Sequence, residues 1–478
     1  MSNRDVLIVH GWSDTSESFS PLVNFLGNAG FKTVGLWLGD YISLDDDVKI
    51  EDVAKRMEAL VREKLASGEL NAPFDMIVHS TGGLVARQWI STYYMDDVGK
   101  CPVKRLVMLA PANFGSKLAT MGQSMLGRVL KGWNNWFHTG KEMLASLELS
   151  SPFQWQLVQR DLLVPDGETD GRTVYAENGV WPFVLTGTHP YPSALRQIVN
   201  EDGADGTVRA AAANLNVRGI TIDFAKDENT PELRYWRNRS STVFPFAVLP
   251  DRTHASIIDP AAPDIEADAA TQQRLGKLIL RALNCETFAD YQQIAADWHQ
   301  ISEDTAALAT SDAARAELFL GDDESPEFFH QYIQINVHVV DDHGADVIDF
   351  VLEFSGPDWE RNDEPTVYFH REVLEHVHTN SCNAAYRCLF VDRTDLLNEF
   401  YSRIGRDVQK ILTMSISAKA PGENITYFSD YEHGASGEMV IHALDGSIRE
   451  RWLQRNTTQF VRIVIPRSPS DDVFKMKH

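Results

Sequence analysis

Short apolar runs alternate with amphipathic stretches along the first 260 residues of the chain. One such stretch, residues 50–65, carries Val53, Met57 and Leu60 at the spacing of a single helix face. Buried parallel strands that alternate with helices predict a doubly wound, mostly parallel α/β sheet. The apolar runs that we interpret as its strands lie at 6–9, 33–37, 76–78, 106–109, 182–185, 220–224 and 245–249.

A different pattern begins near residue 327, where apolar and polar positions alternate with a period of two. Residues 333–339 alternate in this way, and so do residues 412–417 and 460–465. The stretch that precedes this region is rich in alanine and acidic residues, which is typical of a connecting segment. We therefore expect an α/β domain over residues 1–300, an acidic linker over 301–326 and a β-rich, sandwich-like domain over 327–478.

Composition narrows the possible functions. The 478 residues carry a formal net charge of −24, which repels nucleic-acid phosphates, so we expect no nucleic-acid partner. Four scattered cysteines are too few for a disulfide framework and favour a reducing compartment. Neither a cleaved signal peptide nor a transmembrane helix is expected, because the sequence has no secretion-type apolar core at its start and no sufficiently long apolar run. These features predict a cytoplasmic or peripherally membrane-associated protein.

The most informative local motif surrounds Ser80. The apolar run 76–78 leads through His79 into Ser80-Thr81-Gly82-Gly83 and then into a helix-like stretch. A tight turn between strand and helix projects a serine from the sheet edge and points the next amide, that of Thr81, toward developing negative charge. The usual pattern is G-x-S-x-G, and Val78 replaces its first glycine. Ser80 is nevertheless our candidate nucleophile.

A second motif follows the first apolar run of the chain. The first apolar run is followed by His10-Gly11-Trp12. In hydrolases with a serine elbow, the loop after an early strand supplies another backbone donor for the oxyanion, and a glycine lets the chain turn that donor inward. We therefore expect the amides of Trp12 and Thr81 to form the oxyanion hole.

A serine hydroxyl needs a histidine base that is oriented by a carboxylate, and in this class the order along the chain is Ser, Asp or Glu, then His. Asp205 in Gly203-Ala204-Asp205-Gly206 and His254 after the run 245–249 satisfy that order. The sequence offers alternatives, which are Asp202 for the acid and His189 for the base. We interpret His10 and His79 as packing or loop-shaping residues.

These motifs resemble those of the PlaB-type cell-associated phospholipases A of Gram-negative bacteria, within the wider α/β-hydrolase lipases. The resemblance covers residues 5–260 well and extends to a β-rich C-terminal domain without a diagnostic motif there. It implies an α/β-hydrolase fold, hydrolysis of phospholipid and lysophospholipid acyl esters, peripheral membrane contact and homo-oligomers. The stretches that carry it are His10-Gly11-Trp12-Ser13, His79-Ser80-Thr81-Gly82-Gly83, 109–116, Asp205-Gly206-Thr207-Val208 and His254.

The expected activity is therefore that of a carboxylic ester hydrolase, a phospholipase A and lysophospholipase A, acting through an acyl-enzyme on Ser80 with His254 and Asp205. This chemistry requires no cofactor and no metal, and we expect neither. The same triad would also suit a short-chain carboxylesterase or an acyltransferase. An interpretation from a different class is a non-catalytic membrane-binding or scaffold protein.

Residues 117–138 form a locally basic and aromatic segment in this acidic chain. Trp133 and Trp136 lie among Lys117, Arg128 and Lys131, and no acidic residue interrupts the stretch. Such a segment suits a lid or an interfacial helix that contacts lipid. A helix packed over the sheet would have the same pattern, so both interpretations stay open.

Overall fold

A computed structural model describes residues 4–9, 16–36, 46–120, 140–191, 200–261, 273–319, 325–357, 359–428, 437–441, 452–470 and 473. By their internal contacts these residues form two compact units. The first unit consists of residues 1–162, 170–216 and 238–331, and the second consists of residues 163–169, 217–237 and 332–478. Within the described residues, no helix combines the length and apolar character needed to cross a bilayer.

The strands and helices have the following bounds. The strands are β1 (Val6–Val9), β2 (Thr33–Leu36), β3 (Phe74–His79), β4 (Val103–Leu109), β5 (Leu163–Val164), β6 (Trp181–Gly187), β7 (Arg218–Asp223), β8 (Glu232–Tyr235), β9 (Arg237–Asn238), β10 (Phe246–Leu249), β11 (Tyr332–Asp341), β12 (Phe350–Ser355), β13 (Leu374–Thr379), β14 (Tyr386–Asp392), β15 (Leu412–Ala418), β16 (Ile425–Tyr427), β17 (Gly437–Ile441), β18 (Thr457–Ile465) and β19 (Arg467–Pro469). The α-helices are α1 (Ser20–Asn28), α2 (Ile50–Ser67), α3 (Gly82–Tyr94) and those at Lys117–Thr120, Lys141–Leu147, Pro152–Asp161, Ala210–Ala213, Arg274–Leu283, Phe288–Ala307, Asp312–Leu318, Glu364–Tyr368, Arg393–Asp395 and Tyr401–Arg403.

The first unit is built on a parallel sheet with the order β10-β6-β4-β3-β1-β2 in the described residues. Its central strands are buried along their whole length, as their continuous apolar runs predict. Helix α1 and the helices at 274–283 and 288–307 contribute Leu22, Ile279 and Trp298 to the core that also contains Ile77 and Val107 of the sheet. The expected doubly wound α/β sheet is therefore confirmed.

The second unit contains a mixed sheet with the order β13-β14-β11-β18-β7-β8 and a separate antiparallel sheet with the order β12-β15-β17. One apolar core includes inward-facing residues of both, among them Ile333 of β11, Ile463 of β18 and Ile416 of β15. The period of two in the sequence arises because one face of each strand enters this core. The additional β-sheets expected in the C-terminal region are confirmed.

One strand lies in a different sheet from the one that we predicted. The run 220–224 was expected in the parallel α/β sheet, but β7 pairs in parallel with β18 and antiparallel with β8 in the second unit. Placing it in the first sheet was wrong, because the alternation of Ile220, Ile222 and Phe224 with Thr221 and Asp223 suits a strand of either sheet. Pairing with residues about 240 positions later leaves no local trace in the sequence.

The stretch predicted as an acidic linker contains regular structure. Residues 301–307 complete the helix Phe288–Ala307, and a further helix follows at Asp312–Leu318. Ser311 caps that helix by accepting a hydrogen bond from the amide of Ala314. Both segments belong to the first compact unit, which extends to Gln331. The division into an α/β domain over 1–300, a linker over 301–326 and a β-rich domain over 327–478 stays a prediction, because it concerns which segments fold independently.

Candidate active site

Ser80 lies in the sharp turn between β3 and α3. Its backbone φ is +53°, in the left-handed region that a serine adopts only when its surroundings enforce it. The Ser80 amide donates to the carbonyl of Leu109 at 3.2 Å, and its own carbonyl accepts from the amides of Gly83 and Ala112 at 3.1 and 3.2 Å. These bonds on both sides hold the turn in its strained shape and keep the side chain at the carboxyl edge of the sheet.

Close packing explains which part of the elbow motif is essential here. A Cβ atom on Gly83 would lie 2.7 Å from the Cβ of Pro111, so α3 approaches the loop after β4 too closely for a larger residue. Val78, the departure from the usual pattern, lies within β3 between Val9 of β1 and Met108 of β4 and is fully buried. The substitution therefore falls in the sheet and not in the turn.

The side chains of Ser80, His254 and Asp205 form a continuous hydrogen-bonded chain. The Nε2 atom of His254 lies 3.0 Å from the Oγ of Ser80, and its Nδ1 lies 2.9 Å from the Oδ2 of Asp205. Asp205 is fully buried, His254 is 1% exposed and Ser80 is 9% exposed. In this arrangement the imidazole can accept the hydroxyl proton while the carboxylate holds its other nitrogen.

The loop that carries Asp205 fixes both the carboxylate and the histidine. The amides of Thr207 and Val208 donate to Oδ1 at 3.0 and 2.8 Å, which leaves Oδ2 for the imidazole. The amide of His254 donates to the backbone carbonyl of Asp205 at 2.8 Å. Asp202, the alternative acid, is partly exposed, and the structure brings Asp205 and not Asp202 to the imidazole.

The alternative base, His189, lies elsewhere in the first unit. Its Nδ1 is 2.9 Å from the carbonyl of Pro190, and its ring contacts Phe328 with the centroids 6.0 Å apart. The structure therefore brings His254 to the serine hydroxyl and leaves His189 in a packing contact.

His79 has a positioning role that the sequence did not specify. Its side chain is fully buried, and its Nε2 lies 3.0 Å from the backbone carbonyl of His254. The two imidazole rings are tilted, with centroids 4.7 Å apart, and Phe19 packs on the other side of His79 at 5.9 Å. We expected a packing or loop-shaping residue. The sequence feature that could have indicated a contact with the site is the position of His79 directly before Ser80.

A buried ion pair connects the serine-bearing helix α3 to the helix Pro152–Asp161, and the same arginine is linked through Asn113 to the segment after Asp205. Arg87 of α3 donates from Nε and Nη2 to the carboxylate of Asp161 at 2.8 and 3.0 Å, and from Nη1 to the carbonyl of Asn113 at 3.0 Å. The Asn113 amide group in turn donates to the carbonyl of Ala213 at 2.8 Å. Both charged side chains are fully buried, so this network fixes the two segments against each other.

The loop before His254 contains a second buried carboxylate. Burial raises the pKa of the Asp251 carboxyl above its ordinary value, although the guanidinium of Arg252 opposes the shift. The Arg252 Nε lies 3.3 Å from the Asp251 Oδ2. At the end of β6, a Cβ on Gly187 would lie 1.8 Å from the carbonyl oxygen of Arg252, so only glycine lets this loop approach the sheet.

Of the two expected oxyanion donors, one is described. Thr81 is buried at the start of α3, directly after Ser80. Trp12 lies outside the described residues, and so do residues 121–138 of the predicted lid or interfacial segment. The described beginning of that segment, Lys117–Thr120, is helical, and Lys117 pairs with Glu201 at 3.0 Å.

The comparison with known families agrees with this fold. A model described as "Alpha/beta hydrolase family" matches residues 6–264, which is more than half of the chain. The chain therefore belongs to the alpha/beta hydrolase family. The expectation of an enzyme, a carboxylic ester hydrolase, is confirmed by this membership together with the structural match that follows.

Among solved structures, phospholipase PlaB from Legionella pneumophila is similar over the whole chain. It matches with a TM-score of 0.74 at 25% identity, covering 99% of this chain and 96% of that one. A structure of the same Legionella protein in complex with thio-NAD gives a TM-score of 0.75 at the same identity and coverage. The expected resemblance to the PlaB-type phospholipases is thus confirmed. A search of curated proteins finds no match to the sequence.

Proposed function

We propose that this enzyme hydrolyses the acyl esters of phospholipids and lysophospholipids, with Ser80 as nucleophile, His254 as general base and Asp205 as the orienting acid. The observation that carries the proposal is the hydrogen-bonded chain of these three side chains, with 3.0 Å between Nε2 and Oγ and 2.9 Å between Nδ1 and Oδ2. Three residues that are distant in sequence meet here in the geometry that activates a hydroxyl.

The reaction proceeds in two acyl transfers. His254 Nε2 takes the Ser80 proton while Oγ attacks the ester carbonyl, and the protonated imidazole then gives its proton to the departing alcohol oxygen. Water attacks the resulting acyl-enzyme, with His254 again as base, and releases the fatty acid. Asp205 keeps the proton on Nδ1, so that Nε2 faces the serine with a free lone pair.

The tetrahedral intermediates carry a negative oxygen that needs hydrogen-bond donors. The amide of Thr81 stands at the start of α3, where the helix dipole adds a favourable partial charge. We assign the second donor to the amide of Trp12, in the His10-Gly11-Trp12 loop after β1.

The phospholipid substrate is favoured over other esters by the similarity to the Legionella phospholipase, which extends over 99% of the chain and not only over the hydrolase sheet. From the resemblance to the PlaB-type phospholipases we also propose that the enzyme is cytoplasmic or peripherally membrane-associated in a Gram-negative bacterium, and that it assembles into homo-oligomers. Sedimentation with liposomes tests the membrane contact, and the molecular mass in solution tests the oligomeric state.

The test of the function compares three substrates, which are a diacyl phospholipid, its monoacyl lyso form and p-nitrophenyl butyrate. Ser80→Ala should lower the turnover of every substrate by about a thousandfold or more. The matched control is Ser91→Ala in α3, where the hydroxyl donates to the backbone carbonyl of Gln88. Fatty acid released from both lipids by the S91A enzyme and from neither by the S80A enzyme supports the proposal. Release from the short ester alone would refute the phospholipid assignment.

A further inference from the structure

The second unit encloses an apolar cavity that is separate from the candidate active site. The cavity has a volume of about 170 Å³. One wall comes from the mixed sheet, through residues such as Ile335 of β11 and Val461 of β18, and the other from the three-stranded sheet, through residues such as Met414 of β15. Every one of these residues belongs to the second compact unit.

The chemistry of the lining excludes a polar ligand. The described lining residues include no charged side chain, and Gln459 is the single amide among aliphatic and aromatic groups. The Gln459 amide group already donates to the carbonyl of Trp452. An apolar space of about 150 Å³ lined by leucine, isoleucine and phenylalanine stays dry and accepts apolar molecules of the size of benzene, so this cavity is suited to a hydrocarbon.

The most exposed lining residues, which mark where the cavity opens, lie on edge strands of the two sheets. Strand β8 is the edge of the mixed sheet and β17 is an edge of the three-stranded sheet. Leu233 and Tyr235 of β8 line the cavity and are 42% and 47% exposed. The Tyr235 ring stacks on Trp452, with centroids 5.6 Å apart. Amphipathic aromatic rings are typical of a boundary between an apolar space and water.

The described basic residues on and beside β8 are held in ion pairs. Lys226, in the segment before β8, pairs with Glu232 at 2.8 Å, and Arg234 of β8 pairs with Asp166 and Asp223 at 2.8 and 2.9 Å. These basic side chains are already neutralised by acidic neighbours. Recognition at this site therefore depends on the hydrocarbon chain, while a polar head stays in water outside the opening.

We propose that this cavity is a non-catalytic binding site for the alkyl chain of a single-chain amphiphile, either a free fatty acid or a lysophospholipid. A narrow cavity between two sheets admits one chain end first, with the polar head outside. The assignment of an alkyl chain rests on the cavity itself. Only the choice of these two amphiphiles rests on the proposed function, since both are products of phospholipid hydrolysis.

The test measures the displacement of 11-(dansylamino)undecanoate from the full-length protein by octanoate, decanoate and laurate below their micelle concentrations. Each buried methylene should lower Kd by about fourfold until the cavity is filled. Val461→Phe fills the cavity from its wall and should weaken laurate at least tenfold. Val351→Phe is the matched control, because Val351 of β12 is 50% exposed and does not line the cavity.

If the Val461→Phe protein does not fold, a second variant still tests the proposal. Leu233→Gln places a polar group at the exposed opening and should weaken laurate binding several-fold without altering the unfolding transition. Equal laurate affinity in the wild type, L233Q and V461F, or no dependence on chain length, would overturn the proposal.

The last comparison tests whether a free fatty acid and a lysophospholipid bind through the same alkyl chain. Laurate and lauroyl lysophosphatidylcholine are compared in the Ser80→Ala protein, which prevents hydrolysis of the lysolipid. Kd values within about threefold support recognition by the chain, and a difference above tenfold contradicts it. Because no ester is cleaved in these assays, a failure of the proposed function would appear only in the hydrolysis assay.

Discussion

Replacing Asp205 by asparagine tests the candidate triad through a change of one atom. The amides of Thr207 and Val208 both donate to Oδ1, so the carbonyl oxygen of an asparagine would occupy that position. Its NH₂ group would then face Nδ1 of His254, where Oδ2 now lies at 2.9 Å. Two N–H groups cannot donate to each other, so the imidazole would have to move its proton from Nδ1 to Nε2.

The consequence is a histidine of the wrong tautomer beside Ser80. A protonated Nε2, 3.0 Å from Oγ, cannot accept the hydroxyl proton. Losing an oriented base of this kind lowers kcat by about 10⁴-fold in serine hydrolases with a triad, which corresponds to about 5.4 kcal/mol of transition-state stabilisation. Folding should change little, because the asparagine keeps both amide bonds and its hydrogen bond to the imidazole.

The assay is the steady-state hydrolysis of a lysophospholipid by Asp205→Asn and by the matched control Asp202→Asn. The first variant should lose three to four orders of magnitude in kcat with nearly unchanged thermal unfolding, whereas the second should keep wild-type turnover. An Asp205→Asn enzyme within tenfold of wild type, or an Asp202→Asn enzyme with the large loss, would refute the tautomer argument.

Three further changes have defined outcomes. His79→Phe removes a hydrogen bond to the His254 carbonyl, worth about 1 kcal/mol, and should lower kcat about fivefold at constant KM in steady-state assays. Arg87→Met leaves the Asp161 charge buried without its partner, and urea unfolding should show a loss of about 3–5 kcal/mol, largely restored by adding Asp161→Leu. Burial raises the pKa of Asp251, so the folded state holds this proton more tightly than the unfolded state and stability falls as the pH rises above about 4. Asp251→Asn should flatten that fall in urea titrations between pH 4 and 7, and an unchanged slope would contradict the assignment.

Local patterns were sufficient for the α/β sheet and for the residues that meet at its edge. Continuous apolar runs encode buried strands, and the elbow at Ser80 has a small-residue pattern that close packing against Pro111 explains. The order of Ser80, Asp205 and His254 along the chain is the one typical of this fold. The sequence favoured Asp205 over Asp202 by its turn motif, and the structure adds the contact between the Asp205 carboxylate and the imidazole.

Other features depend on contacts between distant segments and could not be predicted. Strand β7 lies between β8 and β18, and its apolar run is equally suitable for the first sheet. The bond from His79 to the His254 carbonyl depends on the meeting of two loops. The apolar cavity of the second unit arises where two sheets face each other, and the pattern within any single strand does not indicate it.

The most direct test of the central claim is to locate the covalent adduct of a long-chain alkyl fluorophosphonate by mass spectrometry. Our account predicts one adduct per chain, on Ser80 within the tryptic fragment 65–87, with labelling abolished in His254→Ala. An adduct on another residue, or a protein that hydrolyses lipid but is never labelled at Ser80, would contradict it.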